Sequence, residues 1–316
     1  MPDPIPLRHL LIPGAGLPAA ADPGAAPHTQ PALPNLKQLL RHMAPSDLIE
    51  CDEDSPSMPY ELALARLNGL PAQPGLIPWA AFETGTTGTP CAWIRPCHWQ
   101  MGADHVQLGD PASLGLDEAA SRALLDAAAP YFREDGMTLA YHLPDAWLAT
   151  GEVFRHLTTR SLERVIGCRI TPAVFDASSG GAALRRLQNE MQMLFYTHPV
   201  NDMRQRQGLL PVNSFWITGA GALDQPIAPA RGVEVETRLH APALQQDLQA
   251  HVRAWQAVDA DACARLLAQL RQGLAVQLTL CGQHRARSYR VAEPTLSRRL
   301  KHVFGLQPTS FGLEEL

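Results

Sequence analysis

Three short apolar segments in this sequence each run into a turn that contains glycine. Residues 8–12 precede Pro13-Gly14-Ala15-Gly16, residues 214–218 precede Gly219-Ala220-Gly221, and residues 275–280 precede Cys281-Gly282. Between them, apolar residues recur at helical spacing, with the longest such run over residues 184–196. Strands that alternate with helices and end in glycine turns are typical of a doubly wound α/β sheet.

The composition indicates a globular protein with room for two domains. Of 316 residues, 46% are hydrophobic and 18% are charged, and the net charge of −5 argues against nucleic-acid binding over the whole surface. The six cysteines contain no CxxC pair, and no apolar run approaches the roughly 18 residues that a membrane span requires. The N-terminus lacks a basic segment followed by an apolar run. We therefore expect reduced thiols, no membrane contact and a cytoplasmic location.

The turn Gly14-Ala15-Gly16 fits the spacing of a relaxed dinucleotide fingerprint. That fingerprint must open a helix whose N-terminus meets a pyrophosphate. Here Pro18 and Pro23 follow the turn, and no helical pattern begins before residue 35. After the second glycine turn, Asp224 stands where the third glycine of the fingerprint belongs. The sequence therefore argues against a dinucleotide site.

The most informative segment covers residues 197–221. It contains His198-Pro199, Asn201 and Arg204, followed by Pro211-Val212-Asn213 before a strand and a Gly-x-Gly turn. This arrangement resembles the archaeal-type cofactor-independent phosphoglycerate mutases of the alkaline phosphatase superfamily. Pro34-Asn35-Leu36 and residues 92–98 resemble other parts of that family in the same order. Residues 185–194 are similar to bacterial proteins labelled phosphoglycerate mutase or RpfE-type regulatory protein.

The resemblance implies a three-layer doubly wound sheet of the alkaline-phosphatase and phosphoglycerate-mutase type, with an inserted smaller α+β domain. Residues 1–90 and 207–316 would form a discontinuous phosphatase-like core. Residues 91–206 would form the inserted cap domain.

The resemblance also implies phosphoryl transfer assisted by two metal ions, but this chain has the wrong side chains for it. The family places an aspartate after the first strand, where this sequence has Pro13. A later Asp-His pair corresponds to Gln283-His284, and the position of the nucleophile corresponds to Tyr60. A neutral amide cannot offset dicationic charge as a carboxylate does. We therefore predict a degenerate site with no metal and no cofactor; Mn or Zn is expected only if the protein is an active enzyme.

Few alternative catalytic groups remain. Ser57 precedes the second predicted helix and His284 is the surviving histidine, so both are weak catalytic candidates. The run Asp52-Glu53-Asp54 could bind a metal, although a solvated acidic loop is favoured. Cys97-His98 could act as nucleophile and base, but adjacent residues on a strand point to opposite faces.

Eight polar residues lie in segments where the resemblance places groups that face the substrate. These candidate ligand-binding residues are Arg95, His98, Arg185, Arg186, His198, Asn201, Arg204 and Asn213. Arginine forks are suited to phosphate or carboxylate groups. The alternative is that Arg185, Asn189 and Gln192 form a buried hydrogen-bond network that holds the inserted domain to the core.

The C-terminal part of the chain is locally basic. Between residues 284 and 302 the charged residues are Arg285, Arg287, Arg290, Arg298, Arg299 and Lys301 against Glu293. Such a stretch could contact the phosphates of a nucleic acid or an acidic partner surface. The alternative is a solvated basic face.

Three hypotheses for the function follow. The first is a degenerate phosphoglycerate-mutase-like protein that is not catalytic and acts as a regulatory or binding protein for a protein partner or a small phosphorylated ligand. The second is an active phosphoglycerate mutase-like phosphotransferase with a remodelled metal site. The third is a nucleic-acid-associated protein that uses the basic stretch.

Overall fold

The computed structural model describes residues 8–16, 31–101, 106–170 and 181–292, together with Leu313. Strands and helices are mixed along the chain, which confirms the α/β class. The chain forms two compact units. The first consists of Met1–Asp54, Met58–Leu67 and Pro229–Leu316, and the second of Ser55–Ser57 and Asn68–Ala228. Among the described residues, no helix is long and apolar enough to cross a bilayer.

Strands and α-helices occur in both units. The strands are β1 (Arg8–Pro13), β2 (Met43–Glu50), β3 (Cys91–Cys97), β4 (Trp99–Met101), β5 (Val106–Leu108), β6 (Thr138–Leu143), β7 (Ala146–Thr150), β8 (Arg169–Ile170), β9 (Ser214–Gly221), β10 (Val233–Val235), β11 (Val276–Cys281) and β12 (Arg285–Val291). The α-helices are α1 (Pro34–His42), α2 (Pro59–Asn68), α3 (Trp79–Thr84), α4 (Glu118–Glu134), α5 (Gly181–Tyr196), α6 (Pro199–Arg206), α7 (His240–Leu244), α8 (Leu248–Val258) and α9 (Ala264–Arg271).

The first unit is built on a five-stranded sheet in the order β10-β1-β11-β12-β2. The strands β10, β1 and β11 are parallel, whereas β12 and β2 join them in antiparallel pairing. Leu10, Ile12 and Leu278 pack on one face against helical residues that include Leu39 and Trp255. The three parallel strands end at one edge of the sheet, where α/β proteins commonly bind ligands.

The sequence at Asp259 predicts the start of a helix, but the structure has one continuous helical segment there. The helix α8 passes through a π-helical turn at Asp259–Cys263 and continues as α9. Val258 and Leu266 keep the segment's apolar face buried in the core. An aspartate before an apolar periodic run is a helix-start signal, but the preceding residues here are already helical, so Asp259 is free to turn its carboxylate toward another helix.

The second unit contains a four-stranded antiparallel sheet in the order β6-β7-β3-β9 and a smaller sheet in the order β4-β5-β8. Ile94, Trp147 and Phe215 pack on one face of the larger sheet with Phe132 of α4. A proline within a helical pattern predicts that the helix ends there, but α4 continues past Pro130. Its apolar face extends to the fully buried Phe132, and that packing outweighs the hydrogen bond that the proline removes.

The units divide at different residues from the predicted core and cap. Residues 68–90 and 207–228 pack within the second unit, although the prediction assigned them to the core. Residues 207–228 belong to the second unit because β9 pairs with β3. Residues 68–90 join them because Gly219 and Gly221, which lie inside β9, pack closely against the start of α3. A Cβ at Gly219 would come within 2.8 Å of the Trp79 Cβ. These glycines therefore permit the close approach of α3 to β9 rather than a turn after the strand.

Candidate functional site

The loop after β1, where the resemblance places a metal ligand, is closed by contacts within the first unit. Gly14 has φ +70°, and a Cβ there would come within 2.9 Å of the carbonyl oxygen of Leu239. His251 Nε2 lies 2.7 Å from the Gly14 carbonyl oxygen, and Trp255 Nε1 donates to that of Ala15 over 3.2 Å. Burial lowers the pKa of His251, so a neutral ring with its proton on Nε2 holds this loop.

The residues at the family's metal positions do not fit a two-metal centre. Pro13 has no side-chain donor, and the Tyr60 ring packs edge-on against His240 with centroids 5.3 Å apart. Gln283 and His284 are exposed in the turn between β11 and β12, and the His284 carbonyl oxygen accepts a hydrogen bond from the Cys51 N–H over 2.8 Å. In the described parts of the chain, no cluster of three or more His, Cys, Asp or Glu side chains could hold a metal ion. The metal ions of a two-metal phosphoryl-transfer centre are bound by carboxylate and imidazole ligands, which these positions do not bring together.

The motif Pro34-Asn35-Leu36 binds a buried carboxylate within the same unit. Asp259 is 3% exposed, and its Oδ1 accepts the Leu36 N–H over 2.7 Å. Its Oδ2 accepts the Asn35 N–H over 3.2 Å, and the Asn35 amide donates to the Asp259 carbonyl oxygen over 3.0 Å. A carboxylate at a helix N-terminus is favoured by the free N–H groups and by the helix dipole. Asp259 therefore caps α1 from a position more than 200 residues away.

A chain of charged side chains follows the end of β10. Arg238 contacts both Glu236 and Asp261, the latter over 2.9 Å. Arg265 in turn contacts Asp261 over 3.0 Å and Glu234 over 2.6 Å. The Arg238 guanidinium lowers the pKa of the Glu236 carboxyl. These carboxylates at the sheet edge are thus neutralised by arginines of the same unit.

A chain of polar side chains crosses the sheet of the first unit, and none of them belongs to the motifs described above. His9 of β1 is 5% exposed, and its Nε2 lies 2.6 Å from Thr279 Oγ1 of β11. Thr279 Oγ1 lies 2.8 Å from Ser288 Oγ of β12. Burial lowers the pKa of His9 to about 4. The signal in the sequence is a histidine directly before the apolar residues Leu10, Leu11 and Ile12 of the same strand.

The first testable prediction concerns the pH dependence of stability through His9. Because the folded pKa is about 4 and the unfolded value is about 6.5, the unfolded chain binds the extra proton between those pH values. His9 should therefore cost the protein no stability above pH 6.5 and about 3 kcal/mol once the pH has fallen to 4. Urea denaturation of the wild type and His9→Gln across this range measures the difference, which should shrink steadily as the pH falls. Parallel pH curves for the two proteins would contradict it.

Asn201, a candidate ligand-binding residue, binds main-chain groups inside the second unit. Its amide nitrogen donates to the carbonyl oxygens of Phe195 and Val212, each over 2.7 Å. Its amide oxygen accepts the Val212 N–H over 2.8 Å. The side chain is 3% exposed, so it joins the end of α5 to the segment before β9.

Arg204 and His198 also hold the main chain around α6. Arg204 Nε donates to the Leu210 carbonyl oxygen over 2.9 Å, and its terminal nitrogen donates to that of Leu114 over 2.5 Å. Burial lowers the pKa of Arg204. His198 is the N-cap of α6, and its Nδ1 accepts the Val200 N–H over 3.3 Å. That acceptor role requires an unprotonated Nδ1, in line with a pKa that burial lowers.

His98 and Asn213 extend the pairing of β3 with the segment before β9. Asn213 Oδ1 accepts the Trp99 N–H over 2.6 Å, while its amide nitrogen donates to the Trp99 carbonyl oxygen over 2.9 Å. His98 Nδ1 lies 2.8 Å from the Pro211 carbonyl oxygen. The block that carries the strongest family resemblance therefore supplies hydrogen bonds to backbone groups of the second unit.

The three remaining arginines of the candidate set lie elsewhere on the second unit. Arg95 of β3 lies 5.6 Å from the Trp93 ring centroid and 3.8 Å from an Asp145 carboxylate oxygen. Arg185 and Arg186 are exposed on α5, and Arg186 contacts Asp135. The structure thus brings His98, His198, Asn201, Arg204 and Asn213 into one region through their main-chain partners. It places Arg185 and Arg186 on an exposed helix face.

The alternative network of Arg185, Asn189 and Gln192 is not buried. Arg185 and Asn189 are exposed, and Gln192 is half-buried. The buried amide of α5 is instead Gln188, whose Nε2 donates to the Phe215 carbonyl oxygen over 3.0 Å.

The weak catalytic candidates lack the surroundings of a nucleophile. Ser57 is 4% exposed, and its Oγ accepts the Gly75 N–H over 2.9 Å. Cys97 is fully buried, and burial raises the pKa of its thiol. A buried thiol with a raised pKa is a poor nucleophile.

The basic stretch is described only in part. Arg285 pairs with Glu50 at 3.0 Å across β12 and β2, Arg287 is half-buried, and Arg290 is exposed. Arg298, Arg299 and Lys301 lie outside the described residues.

Comparisons with known proteins complete the description of this α/β chain. No protein-family model and no curated protein matches it. Among solved structures, it is similar to the cofactor-independent phosphoglycerate mutase from Thermoplasma acidophilum, with 12% identity, 92% of this chain and 91% of that chain covered, and a TM-score of 0.37. It is also similar to the PH0037 protein from Pyrococcus horikoshii, with 13% identity, 93% and 89% covered, and a TM-score of 0.46.

Proposed function

We propose that this protein is a phosphoglycerate-mutase-like scaffold without catalytic metal chemistry, and that it acts as a regulatory or binding protein for a protein partner in the cytoplasm. The observation that carries the proposal is the loop after β1. At the position of the family's first metal ligand stands Pro13, and the following carbonyl oxygen of Gly14 is held by His251 over 2.7 Å. A metal there would lack its carboxylate and would have to open a packed loop.

The side-chain hydrogen bonds of the second unit favour a protein partner rather than a small phosphorylated ligand. Asn201, Arg204 and Asn213 use their hydrogen-bonding groups on backbone atoms of the same unit. A phosphate would have to take these donors away from carbonyl groups. Each buried carbonyl group left without a partner, such as that of Val212 or Leu114, would cost about 1–3 kcal/mol. A cytoplasmic location agrees with the six cysteines, all of which are free thiols, including the exposed Cys168.

The second prediction tests the absence of metal chemistry. The purified chain, loaded with excess Mn²⁺ or Zn²⁺ and desalted, should retain far less than one ion per chain by elemental analysis. It should also show no conversion of 3- to 2-phosphoglycerate with Mn²⁺ present, because the required carboxylates are missing.

An authentic archaeal-type phosphoglycerate mutase treated in parallel serves as the positive control. Two tightly held ions per chain, or turnover that His284→Ala abolishes, would refute the proposal and favour the phosphotransferase with a remodelled site. Turnover that survives both His284→Ala and Ser57→Ala would also refute it, and would place the chemistry outside the family's positions.

A further inference from the structure

The loop after β1 is held closed by hydrogen bonds from two other elements of the first unit. The Ala15 N–H donates to the Cys281 carbonyl oxygen at the end of β11 over 2.8 Å. From α8, His251 and Trp255 bind the carbonyl oxygens of Gly14 and Ala15. Ala15 is fully buried, so this loop belongs to the core of the unit. It lies at the edge where the parallel strands end, the place where α/β proteins commonly bind ligands.

The imidazole of His251 has room for only one of its two charge states. The side chain is fully buried, and its Nδ1 has no hydrogen-bond partner among the described residues. While Nε2 donates to the Gly14 carbonyl oxygen, Nδ1 of the neutral ring carries a lone pair rather than a proton. Protonation would add a charged N–H at Nδ1 with no acceptor to receive it, and burying an unpaired charge is far costlier than burying a lone pair.

No charged side chain nearby compensates for that cost. Burial lowers the pKa of His251, and only the bond to Gly14 opposes the shift. None of the titratable groups on the elements around α8 and the loop contributes to it. Those groups are Asp247 and Arg253 of α8, His240 of α7, Glu236 and Arg238 after β10, and Cys281 of β11.

We propose that His251 is a pH-sensitive latch, which holds the loop after β1 closed while its ring is neutral and releases the loop when the ring is protonated. Once the loop opens, water can reach the ring and its pKa returns to about 6.5. The open state therefore takes up the proton first as the pH falls below that value. Each further pH unit then favours opening by up to about tenfold, until the closed state is protonated as well. Access to this edge of the sheet thus depends on pH.

Amide hydrogen exchange of the full chain, followed by NMR at pH 7 and pH 5, tests the latch. The Ala15 N–H reports on the closed loop, and the Leu278 N–H in the buried centre of β11 reports on unfolding of the unit. After correction for the intrinsic exchange rate, Ala15 should be less protected than Leu278 and should lose about tenfold of its protection between pH 7 and pH 5. Low urea should accelerate exchange at Leu278 but not at Ala15, because local opening exposes little surface.

Two variants assign the pH dependence to the latch. His251→Gln keeps an N–H donor for the Gly14 carbonyl oxygen but cannot be protonated, so the loss at Ala15 should disappear. His9→Gln removes the other buried histidine of the unit and should leave that loss unchanged. The proposal is overturned if the loss persists in His251→Gln. It is also overturned if Ala15 follows Leu278 in the wild type at both pH values and in urea, a result that needs no variant to fold. Neither outcome depends on whether the chain binds a metal or a partner.

Discussion

Replacement of Asp259 by alanine is expected to lower the free energy of unfolding of the first unit by about 4 kcal/mol. The buried carboxylate accepts two backbone N–H groups, and each such charge-assisted hydrogen bond is worth about 1.5–3 kcal/mol. The variant leaves the Asn35 and Leu36 N–H groups without their acceptor at the N-terminus of α1. Urea denaturation followed by circular dichroism measures the loss. Hydrogen exchange read by mass spectrometry should show it in α1 and in residues 248–271.

Two further variants show whether the effect comes from the cap itself. Asp259→Asn keeps one acceptor oxygen but removes the charge, so it should lose roughly half as much stability as the alanine variant. Asp261→Ala is the control on the same π-helical turn, because Asp261 is exposed and pairs with Arg238 and Arg265 at the surface. It should have little effect. A loss below about 1 kcal/mol in Asp259→Ala would mean that Asp259 does not hold α1 in place.

The cap illustrates which part of the first unit the sequence could predict. The apolar spacing over residues 35–43 predicts a helix, and α1 is present there, because Leu36 and Leu39 repeat at helical spacing and Pro34 suits a first helical turn. The motif Pro34-Asn35-Leu36 is evident in the sequence, but its partner is not. Asp259 lies more than 200 residues away, and its local pattern predicts a helix start. Only the fold shows that its carboxylate belongs to a different helix.

The polar block of the second unit can be located in the sequence, but the sequence does not determine which groups its side chains bind. His198, Asn201 and Arg204 gather in one region, as an ordered motif suggests. Sequence spacing cannot separate a side chain that faces a ligand from one that faces a backbone carbonyl group, because both uses favour the same residue types. Gly219 and Gly221 are a similar case, since the need for close packing against Trp79 and Pro78 arises only in three dimensions.

Asn201→Ala should destabilise the second unit by about 4 kcal/mol. It leaves the N–H and carbonyl groups of Val212 buried without partners at about 1–3 kcal/mol each, and it removes one of the two hydrogen bonds that the Phe195 carbonyl oxygen accepts. The affected groups are those of Phe195 and Val212. Urea denaturation gives the magnitude, and hydrogen exchange should place the loss in α5, α6 and the start of β9. Those regions do not overlap with the regions that Asp259→Ala affects.

The matched control is Asn189→Ala, since Asn189 is the same residue type in the same unit but is exposed on α5. It should change the stability by less than about 0.5 kcal/mol. The pair of variants distinguishes the two roles considered for this motif. If Asn201 served a phosphorylated ligand, its loss would leave the stability of the free protein nearly unchanged. In that case inorganic phosphate would stabilise the wild type but not Asn201→Ala, and the assignment of this block to the architecture of the second unit would be wrong.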